Sequence, residues 1–391
     1  MSSETTQKRI ILAVINDLVT DQRVHRVAAT LSKYHRIKVV GRRLRDSYPL
    51  QRPYKTFRLR LLINRGAIFY LSFNVRLFFY LLFRPFDVVV ANDLDTLLAC
   101  FLAAKIKGKT LIYDSHEFFT ELPELVHRPG TRNIWKHLEK MLLPRVAYAS
   151  TVCQSIAEAY KQQYGIKMEV IRNIPFYQPG PDAPRPLSED APVLIYQGSL
   201  NVGRGIEHLI DAMTYLENYM LLIIGTGDIA QDLYKRAEQK QVLNRIEFTG
   251  KIPFEQLHKQ TRKAHLGIAL EENVGLNYYY ALPNKLFDYI QARIPVLVSP
   301  FPEMQRVVYQ HNVGVVHNYH SPKKLADQIR EIFQYPKRYQ HWQSNTHEAA
   351  RELCWENESS KLIDLYKRAG LSFDAAQNPK DVSASGQRRT G

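Results

Sequence analysis

The chain has 391 residues, 45% of them hydrophobic, with 53 Lys+Arg against 38 Asp+Glu and only 3 Cys. At roughly 100–150 residues per domain, this length predicts two domains that each bury a core, and it excludes a chain disordered throughout. Cys100, Cys153 and Cys354 lie far apart without C-x-x-C spacing, which argues against a disulfide scaffold or a zinc site and for a reducing, cytosolic compartment.

The first seven residues, MSSETTQ, hold no apolar stretch, so a secretory signal is not expected. The charge excess is uneven: residues 1–65 carry 15 Lys/Arg and 4 Asp/Glu. That asymmetry suggests an anionic partner, either a phosphate-bearing membrane surface or an acidic substrate, with a solvated basic face as the simpler alternative. No helix-turn-helix, RNP or zinc signature accompanies the basic residues, so nucleic acid is not expected as a partner.

Apolar runs begin at Arg9, Ile37, Asp87, Thr110, Ala149 and Met168 and alternate with amphipathic segments at 22–34, 96–105 and 155–164. Continuous β-branched runs read as strands buried on both faces, and their alternation with helices predicts βαβ units in a parallel sheet, a Rossmann-like half. Asp17 and Arg23 follow the first strand, where Arg23 suits a phosphate or an acidic acceptor. Segment 66–83 (GAIFYLSFNVRLFFYLLF) imitates a membrane span, but Asn74 and Arg76 interrupt it and it is short for ~30 Å of hydrocarbon. It reads as a buried or interfacial helix. In Asn92-Asp-Leu-Asp-Thr96, Asp95 or Thr96 is expected to cap the next helix. Tyr113-Asp-Ser-His-Glu117 follows a buried strand, so His116 is expected at the carboxyl end of the sheet, with Asp114 and Glu117 able to fix its tautomer. A structural histidine is the alternative.

Six prolines between Pro175 and Pro192 mark a linker. Beyond it the rhythm restarts, with strands from Val193, Met220, Arg245, Leu266, Pro295 and Val313 and helices from about Ile206, at 228–240 and at 284–293. This predicts a second Rossmann-like half. Segments 321–333 and 349–369 read as helical, and the last twenty residues as disordered. The expected division is 1–178, a linker at 179–192, 193–335, C-terminal helices at 336–370 packing back toward the first half, and a tail at 371–391. In two such halves ligands bind where the carboxyl ends of the sheets face each other across a cleft.

Gly198-Ser-Leu-Asn-Val-Gly203-Arg204-Gly205 is a strand-to-helix turn in which glycines admit close approach, the helix start offers free N–H groups, and Arg204 can clamp a phosphate. Simple turn geometry is the competing reading, and the spacing is not that of a P-loop. Gly225-Thr-Gly227-Asp228 repeats the pattern, with Asp228 as an ordinary N-cap. In Leu282-Pro-Asn284-Lys285-Leu-Phe-Asp288, a lysine in the first turn of a helix opposes the helix dipole unless an anion lies there. Asp288, one turn on, can accept both hydroxyls of a ribose. No metal-binding pattern is evident, so metal dependence is not expected.

Taken in order, YDSHE, YQGSLNVGRGIEHLIDAM, GTGD, FTGKIPFEQL and LPNKLFDYIQARIPVLVS resemble the GT-B glycosyltransferases, specifically glycosyltransferase family 4, over residues 9–366. The resemblance implies an α/β chain of two doubly wound parallel-sheet domains. It also implies metal-free transfer of a sugar, with retention of configuration, from a UDP- or GDP-sugar to a glycan or lipid-linked acceptor in cell-surface polysaccharide or glycolipid synthesis. No cofactor is implied, the nucleotide sugar being a co-substrate. The site it implies uses His116, Arg204 and Lys285 for the chemistry. Its donor contacts are Gly198, Ser199, Gly203, Gly205, Gly225, Gly227, Ile252, Asn284, Leu286, Asp288 and Glu272, and its acceptor contacts Asp17, Arg23, Asp95 and Glu117. The family's arginine after the first strand is replaced by Ser199, and the first Glu of its E-x7-E motif by Tyr280, unless Glu271 or Glu272 shifts into the role. A sugar-nucleotide 2-epimerase and a non-catalytic nucleotide-sugar-binding homologue share this fold as alternatives. An anionic membrane surface on the cytoplasmic side is the remaining expected partner.

Overall fold

The computed structural model describes residues 7–19, 21–44, 47–180, 191–318 and 321–373, so most of the expected linker and tail lie outside the described residues. In the first half the strands are β1 (Arg9–Asp17), β2 (Arg36–Arg43), β3 (Lys55–Arg60), β4 (Val88–Asn92), β5 (Thr110–Ser115), β6 (Tyr148–Thr151) and β7 (Glu169–Val170). Its helices are α1 (Gln22–Leu31), α2 (Gly66–Leu82), α3 (Leu94–Lys107), α4 (Pro123–Val126), α5 (Pro129–Leu142) and α6 (Gln154–Tyr164). The second half has β8 (Val193–Gln197), β9 (Met220–Ile224), β10 (Ile246–Gly250), β11 (Leu266–Ala269), β12 (Val296–Val298) and β13 (Gly314–Val316). Its helices are α7 (Ile206–Ala212), α8 (Ala230–Gln239), α9 (Phe254–Thr261), α10 (Leu276–Tyr279), α11 (Asn284–Gln291), α12 (Pro302–His311), α13 (Pro322–Gln334), α14 (Pro336–Glu352) and α15 (Trp355–Arg368).

Two all-parallel sheets result, ordered β3-β2-β1-β4-β5-β6-β7 and β10-β9-β8-β11-β12-β13. The alternation of side chains along a strand sends β1 into two cores. Ile11, Ala13 and Ile15 meet α2, α3, α5 and α6, whereas Ile10, Leu12 and Val14 meet α1 and the distant α15. β8 is covered on both faces in the same way, by α7, α8 and α13 on one side and by α11 and α12 on the other. Each sheet is therefore doubly wound. Chain order reverses between β1 and β4 and between β8 and β11, the switch points where such sheets bind ligands.

The helix expected over 349–369 is broken. α14 ends at Glu352 and α15 starts at Trp355, because Gln291 Nε2 takes the carbonyls of Ala350 and Leu353 while Trp355 N donates to Pro175 O. α15 then crosses to the first half, where Trp355 Nε1 donates to Thr30 Oγ1 and Glu358 accepts from Arg172. Asp228 caps no helix: Leu200 O accepts from Ile229 N and holds 227–229 in the turn, so α8 starts at Ala230. Neither Asp95 nor Thr96 is a cap, since α3 begins at Leu94 after Asp93, and Thr96 Oγ1 bonds back to Asn92 O. β3 carries no apolar run in sequence; it is an edge strand rich in Lys and Arg.

Candidate active site between the two sheets

A cavity of about 650 Å³ lies between the halves, lined from the first by His116, Glu117, Val152, Ile156 and Asn173. From the second it is lined by residues of the β8 and β9 turns, by Arg204 and Lys251, and by the start of α11. The carboxyl ends of β5, β8 and β9 open into it, as the switch-point rule requires.

Arg204 and Lys285 converge on one carboxylate. Lys285 Nζ lies 3.0 Å and Arg204 Nη1 3.4 Å from Glu271 Oε1. Each cation also lies over an aromatic face, Lys285 over Tyr196 at 4.0 Å and Arg204 over Tyr278 at 4.5 Å. Glu271 is fully buried, and its Oε2 has no hydrogen-bond partner among the described residues. Two cations against one carboxylate leave an excess positive charge, reinforced by the N-terminus of α11, whose Asn284 and Lys285 line the cavity. The mismatch of Lys285 with the helix dipole is thus met by Glu271 in part, and the pair remains cationic overall. Asp288, one turn further, accepts from Gln197 Nε2 at 2.9 Å, and burial raises its carboxyl to about 6.

Two glycines are dictated by close approach. A Cβ on Gly225 (φ +146) would sit 1.8 Å from Gly198 O, and one on Gly205 (φ +67) 2.0 Å from Leu270 O. The two glycine turns therefore pack against each other and against Leu270 just past β11, and Gly198 lines the cavity.

Facing them, His116 stands between Asp93 (Nδ1 to Oδ2, 3.2 Å) and Asp114 (Nε2 to Oδ2, 3.3 Å). Burial lowers its pKa, but the two carboxylates more than offset that and bring it up to about 9. Nε2 lies close to Asp114 without an aligned hydrogen bond and is otherwise unpartnered. The flanking partners are Asp93 and Asp114, not Glu117. Asp114 is held low against its own burial by the Arg23 guanidinium, which it binds at 3.0 and 2.6 Å. Burial pushes Glu117 up to about 8, with Asp93 adding to the rise.

Of the residues singled out from sequence, His116, Glu117, Gly198, Ser199, Arg204, Gly225, Ile252, Asn284, Lys285 and Asp288 share the cavity. Arg23 does not: it is buried, with its guanidinium spent on Asp114 and Ile171 O. Asp17, bonded to Val19 N and to Ser47, and the buried Asp95 also lie outside the lining. Leu286 is core, and Gly203, Gly205 and Gly227 shape turns behind the wall. Glu272 lines a separate cavity of about 220 Å³ and pairs with His208. Of the two glutamates, Glu271 is the one in contact with Arg204 and Lys285, while Tyr280 packs toward Phe118 and receives Cys153 Sγ on its carbonyl. Thr226, Lys251, Asn173 and Asn277 line the cavity without having been singled out. Thr226 and Lys251 sit just past strand ends, a position that could have marked them. Among the described residues no His, Cys, Asp or Glu side chains are grouped to hold a metal ion.

Residues 21–175 match the family model for Glycosyltransferase Family 4, and residues 182–349 that for Glycosyl transferases group 1. No curated protein matches the chain. Among solved structures it is similar to a sucrose-phosphate synthase from Thermosynechococcus elongatus (17% identity, TM-score 0.73, covering 93% of this chain and 99% of that one). It is also similar to HepE from Anabaena in complex with UDP-glucose (12%, 0.71, 93% and 100%). A third is WaaG, a glycosyltransferase involved in lipopolysaccharide biosynthesis (14%, 0.67, 90% and 99%). At these identities the structures speak for the fold alone; the two family models, which between them span both halves of the cleft, place the chain among the GT-B glycosyltransferases of the group 1 type.

Proposed function

We propose that this glycosyltransferase moves a sugar, with retention of anomeric configuration and without a metal, from a UDP- or GDP-sugar to a glycan or lipid-linked acceptor. The product belongs to cell-surface polysaccharide or glycolipid synthesis at the cytoplasmic membrane face. The observation that carries the reading is the shared grip of Arg204 and Lys285 on Glu271, opposite His116 in one cavity. The excess positive charge there suits a diphosphate. The UDP-glucose held by the Anabaena relative supports a nucleotide sugar as donor.

In this reading Asp288 takes the ribose, and the turns at Gly198 and Gly225 let the backbone approach the diphosphate. As the anomeric carbon–oxygen bond to phosphate breaks, negative charge grows on the leaving diphosphate. Arg204, Lys285 and the α11 N-terminus stabilise that charge more than the ground state. The acceptor oxygen bonds to the anomeric carbon on the same face and gives its proton to a departing phosphate oxygen. His116, protonated at neutral pH, donates to a donor-sugar hydroxyl and cannot serve as the base. Glu117 stands beside it toward the acceptor.

Metal-free calorimetry with UDP- and GDP-sugars tests the proposal. The wild-type protein should bind at least one of them. Arg204→Ala should lower transfer by roughly 10²–10³-fold, about 3–4 kcal/mol, and His116→Ala should keep nucleotide binding while losing transfer. A folded wild-type protein that binds no nucleotide sugar would overturn it.

A further inference from the structure

α2 is apolar over most of its circumference, Ser72, Asn74 and Arg76 excepted, yet only half of it is buried. Phe69, Phe73, Leu77 and Leu81 face the core. On the opposite side Ile68 (62% exposed), Leu71 (66%), Val75 (45%) and Phe79 (50%) form one stripe at helical spacing, continued by Phe83. Beside it α3 exposes Leu102 and Ile106. The two helices are tied in parallel. Asn74 Nδ2 bonds Asp95 O near the start of α3, and Lys107 Nζ from its end takes the carbonyls of Leu81, Leu82 and Arg84 at the end of α2.

A helix that keeps a continuous apolar stripe outside the core meets a partner or a lipid surface there. No helix among the described residues is long and apolar enough to cross a membrane. The charge around α2 has one sign: residues 47–86 contain seven Lys/Arg and no Asp or Glu, and Arg65, Arg76 and Arg84 are exposed beside the stripe. A second copy seated on this face by a two-fold axis would bring two cationic surfaces together, whereas an anionic bilayer answers both the stripe and its charged border.

We propose that the outer face of α2 is a docking surface for an anionic lipid bilayer, with Ile68, Leu71, Val75 and Phe79 entering the headgroup boundary and the arginines meeting lipid phosphates. The inference deepens the lipid-linked branch of the proposed function and rests on it for its purpose, though not for its geometry. Helices in βαβ units start at the carboxyl ends of the strands, so the stripe begins on the cleft side, where a lipid-borne acceptor would enter.

The full chain is sedimented with vesicles of phosphatidylglycerol and phosphatidylcholine, and with phosphatidylcholine alone, in parallel with Leu71→Ser/Phe79→Ser. Both positions are exposed, so the variant should melt at the wild-type temperature and bind nucleotide sugar unchanged. The wild type should pellet with the anionic vesicles, and the variant about tenfold less or weaker still. A wild type that stays in the supernatant while binding nucleotide overturns the docking surface and leaves the glycosyltransferase reading standing. A wild-type dimer dissociated by the double substitution, without vesicle binding, overturns it in favour of a second copy.

Discussion

His116 owes its character to one near neighbour in the chain, Asp114, and to groups distant in it, Asp93 and, through Asp114, Arg23. Asp93 comes from the end of β4 and Asp114 from β5, and Asp114 is itself kept ionised by Arg23 of α1. The folded pKa, about 9, exceeds the unfolded value near 6.5. The protonated imidazole therefore stabilises the fold fully below about pH 6.5, and that contribution fades as pH climbs through about 9. The shift corresponds to about 3 kcal/mol at most. Unfolding curves of wild type and His116→Gln should differ most at pH 6 and converge by pH 10; a gap that does not change over this range would contradict the assignment.

At the scale of elements, the site is made by turns rather than by the strands and helices they join. Gly225 stacks on Gly198 so closely that any side chain would strike backbone, and its φ of +146 suits only glycine. Gly225→Ala should cost at least about 2–3 kcal/mol in urea unfolding and weaken nucleotide binding by displacing the Gly198 turn. An unchanged unfolding midpoint would show that the turns can separate. α11 has the complementary role, presenting Asn284, Lys285 and Asp288 from one face while Leu286, Phe287, Tyr289 and Ile290 anchor the other in the core.

At the scale of the molecule, the two halves are held together by bonds that cross the cleft. Glu303 of α12 accepts from Ser155 N at 2.8 Å and Ser155 Oγ at 2.6 Å, capping the N-terminus of α6 from the other half. Asn277 accepts from Phe118 N at 2.9 Å. Both contacts lie where the halves meet, and Asn277 lines the cavity together with His116 and Arg204; in the proposed reading, halves held together limit the access of water to the donor. Glu303→Ala, removing a cap of about 1 kcal/mol, should enlarge the radius of gyration in small-angle scattering of the nucleotide-free protein and raise donor hydrolysis relative to transfer. An unchanged radius and hydrolysis ratio would mean that Glu303 does not hold the halves together.

The sequence alone determined the two parallel-sheet halves, because unbroken runs such as Ile10–Ile15 and 220–224 fit only strands covered on both faces. It also marked His116, Arg204 and Lys285, since residues just past strand ends and at helix starts face the cleft by topology. Edge strand β3 escaped because its charged, half-exposed pattern carries no apolar run. Which charges remain free was decided only by tertiary structure. Arg23 and Arg204 look alike in the chain, yet one is consumed by Asp114 and the other shares Glu271 with a second cation. Pairing depends on distances between residues 67 or 91 positions apart, and no local pattern encodes those distances.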